Sequence, residues 1–168
     1  DWSSDVCSSD LKTVISTDHP VLILEQDKDS VYITADTLFS GPLPLKNDSL
    51  KTVRPVDDST LRFFQAYRRV RIFTDSLQAV CDSLYYSYQD SAFRLYQDPV
   101  IWSRGSQITG DTVIMRTKNK KAEKLDIFEN SLLVQQLDPE VYNQVKSIRM
   151  AAFLTNGSMD SLQAKGYA

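Results

Sequence analysis

VRIFTDSLQAVCDSLYYSYQDSAFRLYQDPVIWSRGSQITGDTVIMR, residues Val70 to Arg116, decides how the chain folds. An acidic-hydroxyl-apolar triplet recurs in it as Asp75-Ser76-Leu77, Asp82-Ser83-Leu84, Asp90-Ser91-Ala92 and Asp111-Thr112-Val113. Outside the stretch the triplet returns as Asp36-Thr37-Leu38, Asp48-Ser49-Leu50 and Asp160-Ser161-Leu162. Between copies lie short runs that alternate apolar with polar, such as Val70-Arg71-Ile72 and Phe93-Arg94-Leu95. Asp, Ser and Thr favour corners because their side chains hydrogen-bond the nearby backbone. Corners separated by a few alternating residues predict an all-β chain that folds back on itself rung by rung.

Working outward, Val21-Leu22-Ile23-Leu24 and Val31-Tyr32-Ile33-Thr34-Ala35 read as strands, and Asp36-Thr37 as the first corner. Pro20 lacks an amide donor and suits a strand start or an edge. Residues 41–60, with three prolines, a glycine and no sustained period, read as a long loop or a seam between repeats. Strand signals resume at Leu61 and run to Gln136. Asp98-Pro99 marks a turn before Val100-Ile101-Trp102, and Gly105 and Gly110 mark the tight points around Gln107-Ile108-Thr109. Thr117 to Lys124 reads as a solvated basic hairpin tip leading into Leu125-Asp126-Ile127-Phe128, with Asp126 outward. From 138 to 150 two readings stand. Asp138 as N-cap, Pro139 at the first helical position and Val141, Val145 and Ile148 argue for a helix. A turn at Asp138-Pro139 followed by a strand through Ile148, Met150 and Ala152 is the rival. Asn156-Gly157 closes a hairpin into a last strand, Met159 to Tyr167.

Residues 1–11, DWSSDVCSSDL, resemble the translation of a sequencing-adapter read and are set aside as a non-native leader, leaving 12–168 as one domain. Setting aside Asp1, Asp5 and Asp10 takes the 22 acidic residues to 19, equal to the 19 basic ones. A nucleic-acid partner, which calls for a basic excess, is not expected. At 42% hydrophobic the chain can build one real core, and no apolar run approaches the ~20 residues of a membrane-spanning helix.

The inventory for chemistry is poor, and an enzyme is not expected. No HExxH, GxSxG, Walker or GxGxxG pattern occurs, so neither a cofactor nor a metal is called for. His19, the single histidine, stands between Asp18 and Pro20 in a loop-like context. The repeated aspartates are the only tempting acid pairs for glycoside hydrolysis. Each is followed by a hydroxyl and an apolar residue, as corner residues are. Cys81, alone once Cys7 is set aside, is in phase with Leu77 and Ala79 and reads as a small buried hydrophobe. Ten aromatic residues crowd between Phe63 and Trp102. They fill a sheet core or line a groove for an apolar ligand.

These residues carry a resemblance. Val31-Tyr32-Ile33-Thr34-Ala35-Asp36-Thr37-Leu38 resembles the xADxL signature of the OstA/LptA-like lipopolysaccharide-transport superfamily. TDSLQAVCDSLYYS (74–87), DSAFRLYQDPVIW (90–102), QITGDTV (107–113) and YNQVK (142–146) are similar to the OstA-like proteins of Bacteroidota. The similarity covers residues 19–168, and its specific part is 70–113. Ser147 departs from it, standing where a glycine is expected. The resemblance implies an open β-jelly roll, a folded "taco" of antiparallel strands whose apolar interior holds acyl chains. It implies a periplasmic place of action against the outer membrane, lipopolysaccharide or another acylated lipid as cargo, and other jelly-roll modules or further copies as edge-to-edge partners. The inner, lipid-facing positions expected from alternation are Ile33, Val70, Ile72, Leu77, Leu84, Leu95, Trp102, Ile114 and Ile127. The competing expectation is a structural β-repeat scaffold that assembles by its strand edges and binds no lipid.

Overall fold

The computed structural model describes residues 13–24, 30–43, 62–118, 121–155 and 158–166. The leader, the Asp48 triplet, Asn156-Gly157 and the 41–60 loop beyond Leu43 lie outside the described residues. Among those described are thirteen strands and no helix. Nine are short or of moderate length: β1 (Val14–Thr17), β2 (Val21–Leu24), β3 (Val31–Thr34), β4 (Thr37–Pro42), β7 (Ala92–Tyr96), β8 (Val100–Ser103), β9 (Ser106–Thr109), β10 (Thr112–Lys118) and β13 (Ser158–Lys165). Four are long: β5 (Arg62–Phe73), β6 (Gln78–Ser87), β11 (Lys121–Asp138) and β12 (Val141–Thr155). Gly41 and Pro42, expected in the loop, extend β4 instead, with Pro42 at the strand end opposite Arg62.

All pairings are antiparallel, and they sort into two layers. One is ordered β1-β4-β5-β6-β7-β10-β11-β12-β13. The other runs β2-β3-β5-β6-β8-β9-β11-β12. The long strands belong to both, one half in each layer. Every long strand, and every consecutive pair β1/β2, β3/β4, β7/β8 and β9/β10, is therefore one rung that crosses a fold line. Through the long strands, β6, β7, β10, β11, β9 and β8 close a ring of pairings, and the other strands extend it on both sides. The fold is all-β and jelly-roll-like.

Corners along the fold line alternate in kind. In four rungs two consecutive non-glycine residues take positive φ: Asp18-His19, Arg68-Arg69, Gln97-Asp98 and Glu129-Asn130. Side chains rarely adopt this region, and here it bends each strand sharply. In β5 and β11 the pair forms a bulge, two residues facing one: Arg68-Arg69 opposite Asp82, and Glu129-Asn130 opposite Ile148. The rungs between turn at Ala35-Asp36, Asp82, Gly110-Asp111 and Ile148. The Asp36 amide donates to the Arg68 carbonyl at 3.0 Å, and the Asp111 amide to that of Glu129 at 3.1 Å. Of the predicted corners, Asp36, Asp82 and Asp111 lie on the fold line. Asp75 and Asp90 sit in the hairpin turns at the rims, and Asp160 lies within β13.

The 138–150 segment is the hairpin, not the helix. Pro139-Glu140 makes the turn, and β12 pairs β11 on one side and β13 on the other. Residues 141–147 pair with β11 and 149–155 with β13, and this continuous pairing outweighs the three-four spacing of Val141, Val145 and Ile148. Ser147, where a glycine was expected, sits in β12 opposite Ser131, and both are buried with their hydroxyls donating to backbone carbonyls.

Candidate functional site

Side chains alternate across a strand, so pairing register decides which residues share a face. In the first layer one inner row reads Leu38, Ala66, Leu84, Leu95, Val113, Ile127 and Met150 across seven strands. In the second, Leu22, Ile33, Ile72, Ala79, Ile101, Ile108, Leu133 and Val145 cross eight. Both rows belong to or pack against one hydrophobic cluster, so the two layers share a single apolar interior. Near the first layer's rim Phe64, Tyr86 and Phe93 pack together, the latter two with centroids 4.3 Å apart. Burial pushes the phenols of Tyr86 and Tyr88 up from their ordinary value.

Seven of the nine inner positions expected from sequence, Ile33, Val70, Ile72, Leu77, Leu84, Leu95 and Ile127, are buried in this cluster. Two take the other face. Trp102 is 40% exposed while its neighbour Ile101 is buried, opposite Ala79 and Ile108. Ile114 is half-buried on the outer face between Arg94 and Asp126, while Val113 and Met115 point inward. The reasons differ. The corner at Gly110-Asp111 resets the alternation by one residue, from Ile108 to Val113, whereas the corner at Gln97-Asp98-Pro99 keeps it, from Leu95 to Ile101. Size had favoured Trp102 and Ile114. The signal for Ile101 and Val113 was the parity of their own short strands.

The interior is closed to solvent along most of its length. Ile33, Leu95 and Leu125 are wholly inaccessible to solvent. Toward the ends of the second layer its lining is only partly buried, at Leu22 and Leu24 on one side and Val145 on the other. Cys81 lies inside opposite Val70, where burial, reinforced by the Asp82 charge, raises its thiol to about 12. The remaining polar groups decorate the fold line and outer face. Asp36 accepts from Arg69 at 2.9 Å and stands 3.5 Å from His19 Nδ1. Asp111 accepts from Asn130 Nδ2 at 3.0 Å. On the outer face Phe39, Phe63 and Tyr85 form a ladder capped by Arg94, which is paired with Asp90. Among the described residues no three His, Cys, Asp or Glu side chains converge as a metal site would require. No helix among them is long and apolar enough to cross a membrane.

No protein-family model matches the chain, and no curated protein is significantly similar to it in sequence.

Proposed function

We propose that the chain is a non-enzymatic lipid-transport module of the periplasm. Its apolar interior takes acyl chains, from lipopolysaccharide or another acylated lipid, and its sheet edges join neighbouring modules. The observation that carries this reading is the continuity of the interior. Apolar rows cross the fold from one end toward the other, and the second layer's row is only partly covered at its ends, Leu22 and Val145. Each methylene moved from water into such a space gains about 0.8 kcal/mol. The edge strands support the second half of the reading. Val14, Ile15, Val21 and Ile23 are exposed on β1 and β2, the strands that end the two layers with one partner each among the described residues. Such an edge is a template for another sheet.

Away from the fold line the inter-strand pairing runs within layers, so the layers meet through side chains and an acyl chain enters by parting them. The complete burial of Leu95 favours the second reading, a scaffold that assembles by its edges without lipid. Photo-crosslinking to lipopolysaccharide separates the two. With a photoreactive residue at Leu95 or Val145 and a control at Arg94, the transport reading expects adducts at the first two positions only. A folded protein without an adduct at any of them leaves the scaffold.

A further inference from the structure

The outer face of the second layer carries a feature that the acyl-binding reading does not use. Register places Ile23, Tyr32, Phe73, Gln78, Trp102, Gln107 and Val134 in one outward row across β2, β3, β5, β6, β8, β9 and β11. Tyr32, Phe73 and Trp102 in it are 43%, 50% and 40% exposed. Large aromatic side chains left in water in a row are the informative exception on a protein surface. At its Trp102 end the row opens into a recess of about 540 Å3 between the 74–77 turn, the 103–106 turn and the β11–β12 hairpin. This is the size range of small-molecule sites.

The recess is built. The indole N–H of Trp102 donates to Gln107 Oε1 at 3.1 Å, which fixes the ring and leaves the Gln107 amide nitrogen as a donor. Arg104 and Gly105 both take positive φ, making the tight two-residue turn that brings β9 back against β8. The Gln136 amide donates to the Gly105 carbonyl at 2.9 Å and ties that turn to β11. Tyr142, more than half exposed, lines the opposite side.

Lining chemistry selects the ligand. Its charged members are one acid and one base, Asp75 and Arg104, so neither a polyanion nor a polycation is favoured. Gln107 Oε1 is held by Trp102, and Gln136 Nε2 donates to the Pro139 carbonyl at 3.5 Å. Gln107 therefore offers its amide nitrogen, Gln136 its carbonyl oxygen and Gln78 both, together the match for hydroxyl groups that both give and accept hydrogen bonds. The electron-rich faces of Trp102 and Tyr142 suit the weakly positive C–H groups of a sugar ring. Trp102 and Phe73 lie two strand steps apart, roughly 10 Å, the spacing of alternate units in an extended oligosaccharide. We infer that this recess and the aromatic row leading from it bind a neutral saccharide chain, with Trp102 and Tyr142 as stacking platforms and the glutamines reading hydroxyls.

The recess meets the apolar interior's lining only at Leu77, and its stacking residues Trp102 and Tyr142 lie outside that lining, so the site is tested apart from acyl binding. Replacing Trp2 by Phe leaves Trp102 as the single tryptophan. Cellotetraose, maltotetraose and chitotetraose at millimolar concentration serve as probes. At least one is expected to shift Trp102 emission to the blue and to give saturable heat in calorimetry. Trp102→Ala and Tyr142→Ala are each expected to weaken that binding by about tenfold or more, with an unchanged melting temperature, while Trp102→Tyr retains most of it. Absence of binding by all three sugars overturns the inference, as does binding that survives both alanine replacements. Saturable binding of an octaproline peptide that depends on the same two residues also overturns it, by reassigning the recess to peptides.

Discussion

The rungs from β3 to β6 and those from β9 to β12 are two versions of one design. Each begins with two short strands turning at an aspartate, Asp36 or Asp111, followed by a long strand bent at a positive-φ pair and a long strand facing it. The aspartate amide caps the bulge in both, at matching distances. What differs is how the corner is filled. In the second version Gly110 precedes the aspartate, and a Cβ there would come within 2.4 Å of Ile127 Cγ2. In the first version Ala35 precedes it, and the position matching Ile127 is Ala66, opposite Leu38 as Ile127 is opposite Val113. Bulk has moved in part from one side of the contact to the other, and Leu38 is one carbon larger than its counterpart Val113. That is the signature of a close-packed interior solving one geometry twice.

The largest expected effect tests that exchange. Ile127→Ala alone costs about 2–5 kcal/mol for the cavity, and Gly110→Ala alone costs about 1–3 kcal/mol for the clash. Together they recreate the first version's Ala-Ala corner, so urea unfolding of the double variant should fall well short of the summed cost. Strict additivity would break the comparison. Introducing the second version's filling into the first sharpens it: Ala66→Ile should destabilise, and Ala35→Gly should recover part of the loss.

A smaller effect separates the corner aspartates. Asp36 is held by the charged and largely exposed Arg69, and Asp111 by the neutral Asn130. Replacing either by Ala should cost about 1 kcal/mol or less. At about 1 M salt the penalty at Asp36 should shrink and that at Asp111 persist, as read by melting temperatures.

The smallest effect at neutral pH concerns the pair beside the bulge, Val70-Cys81 in one version and Ser131-Ser147 in the other. Cys81 should ignore a thiol reagent in the native state and react on unfolding. The neutral thiol is the favoured form inside, with a folded value of about 12 against an ordinary 9.0. Its contribution to stability is therefore fully present below pH 9 and is lost as pH rises from 9 through 12. Cys81→Val should flatten that alkaline decline in a pH series of unfolding curves. An unchanged slope would place the thiol in a different setting.

The architecture was legible where local chemistry and pairing agree. Asp-hydroxyl-apolar triplets announced the turns because an aspartate and a hydroxyl serve the backbone wherever a strand reverses or bends. They did not separate the fold line, at Asp36, Asp82 and Asp111, from the rims, at Asp75 and Asp90, although the hydrogen bonds differ. The Asp36 and Asp111 amides donate to bulge carbonyls, while the Asp90 carboxylate accepts from the Ala92 amide. The positive-φ pairs were silent in sequence. Arg68-Arg69 and Gln97-Asp98 have nothing of the glycine usual in such backbone, and only the surrounding sheet enforces them. Ile114 was placed inside because the Gly110-Asp111 corner shifts the alternation by one residue, and Trp102 because of its size, although the alternation from Leu95 runs unbroken to Ile101. β1 was missed for a related reason: four residues without strong alternation become a strand because β4 offers a partner.

The repeated block, three rungs plus the β7/β8 rung that links the two copies, also has a metric consequence. Its fold line is carried within the chain at every rung, so adding a block by gene duplication would lengthen both layers in step. Four more strand spacings amount to about 19 Å, with the same cross-section and no new corner to invent. The enclosed apolar space is in this sense a ruler whose length is written in copy number.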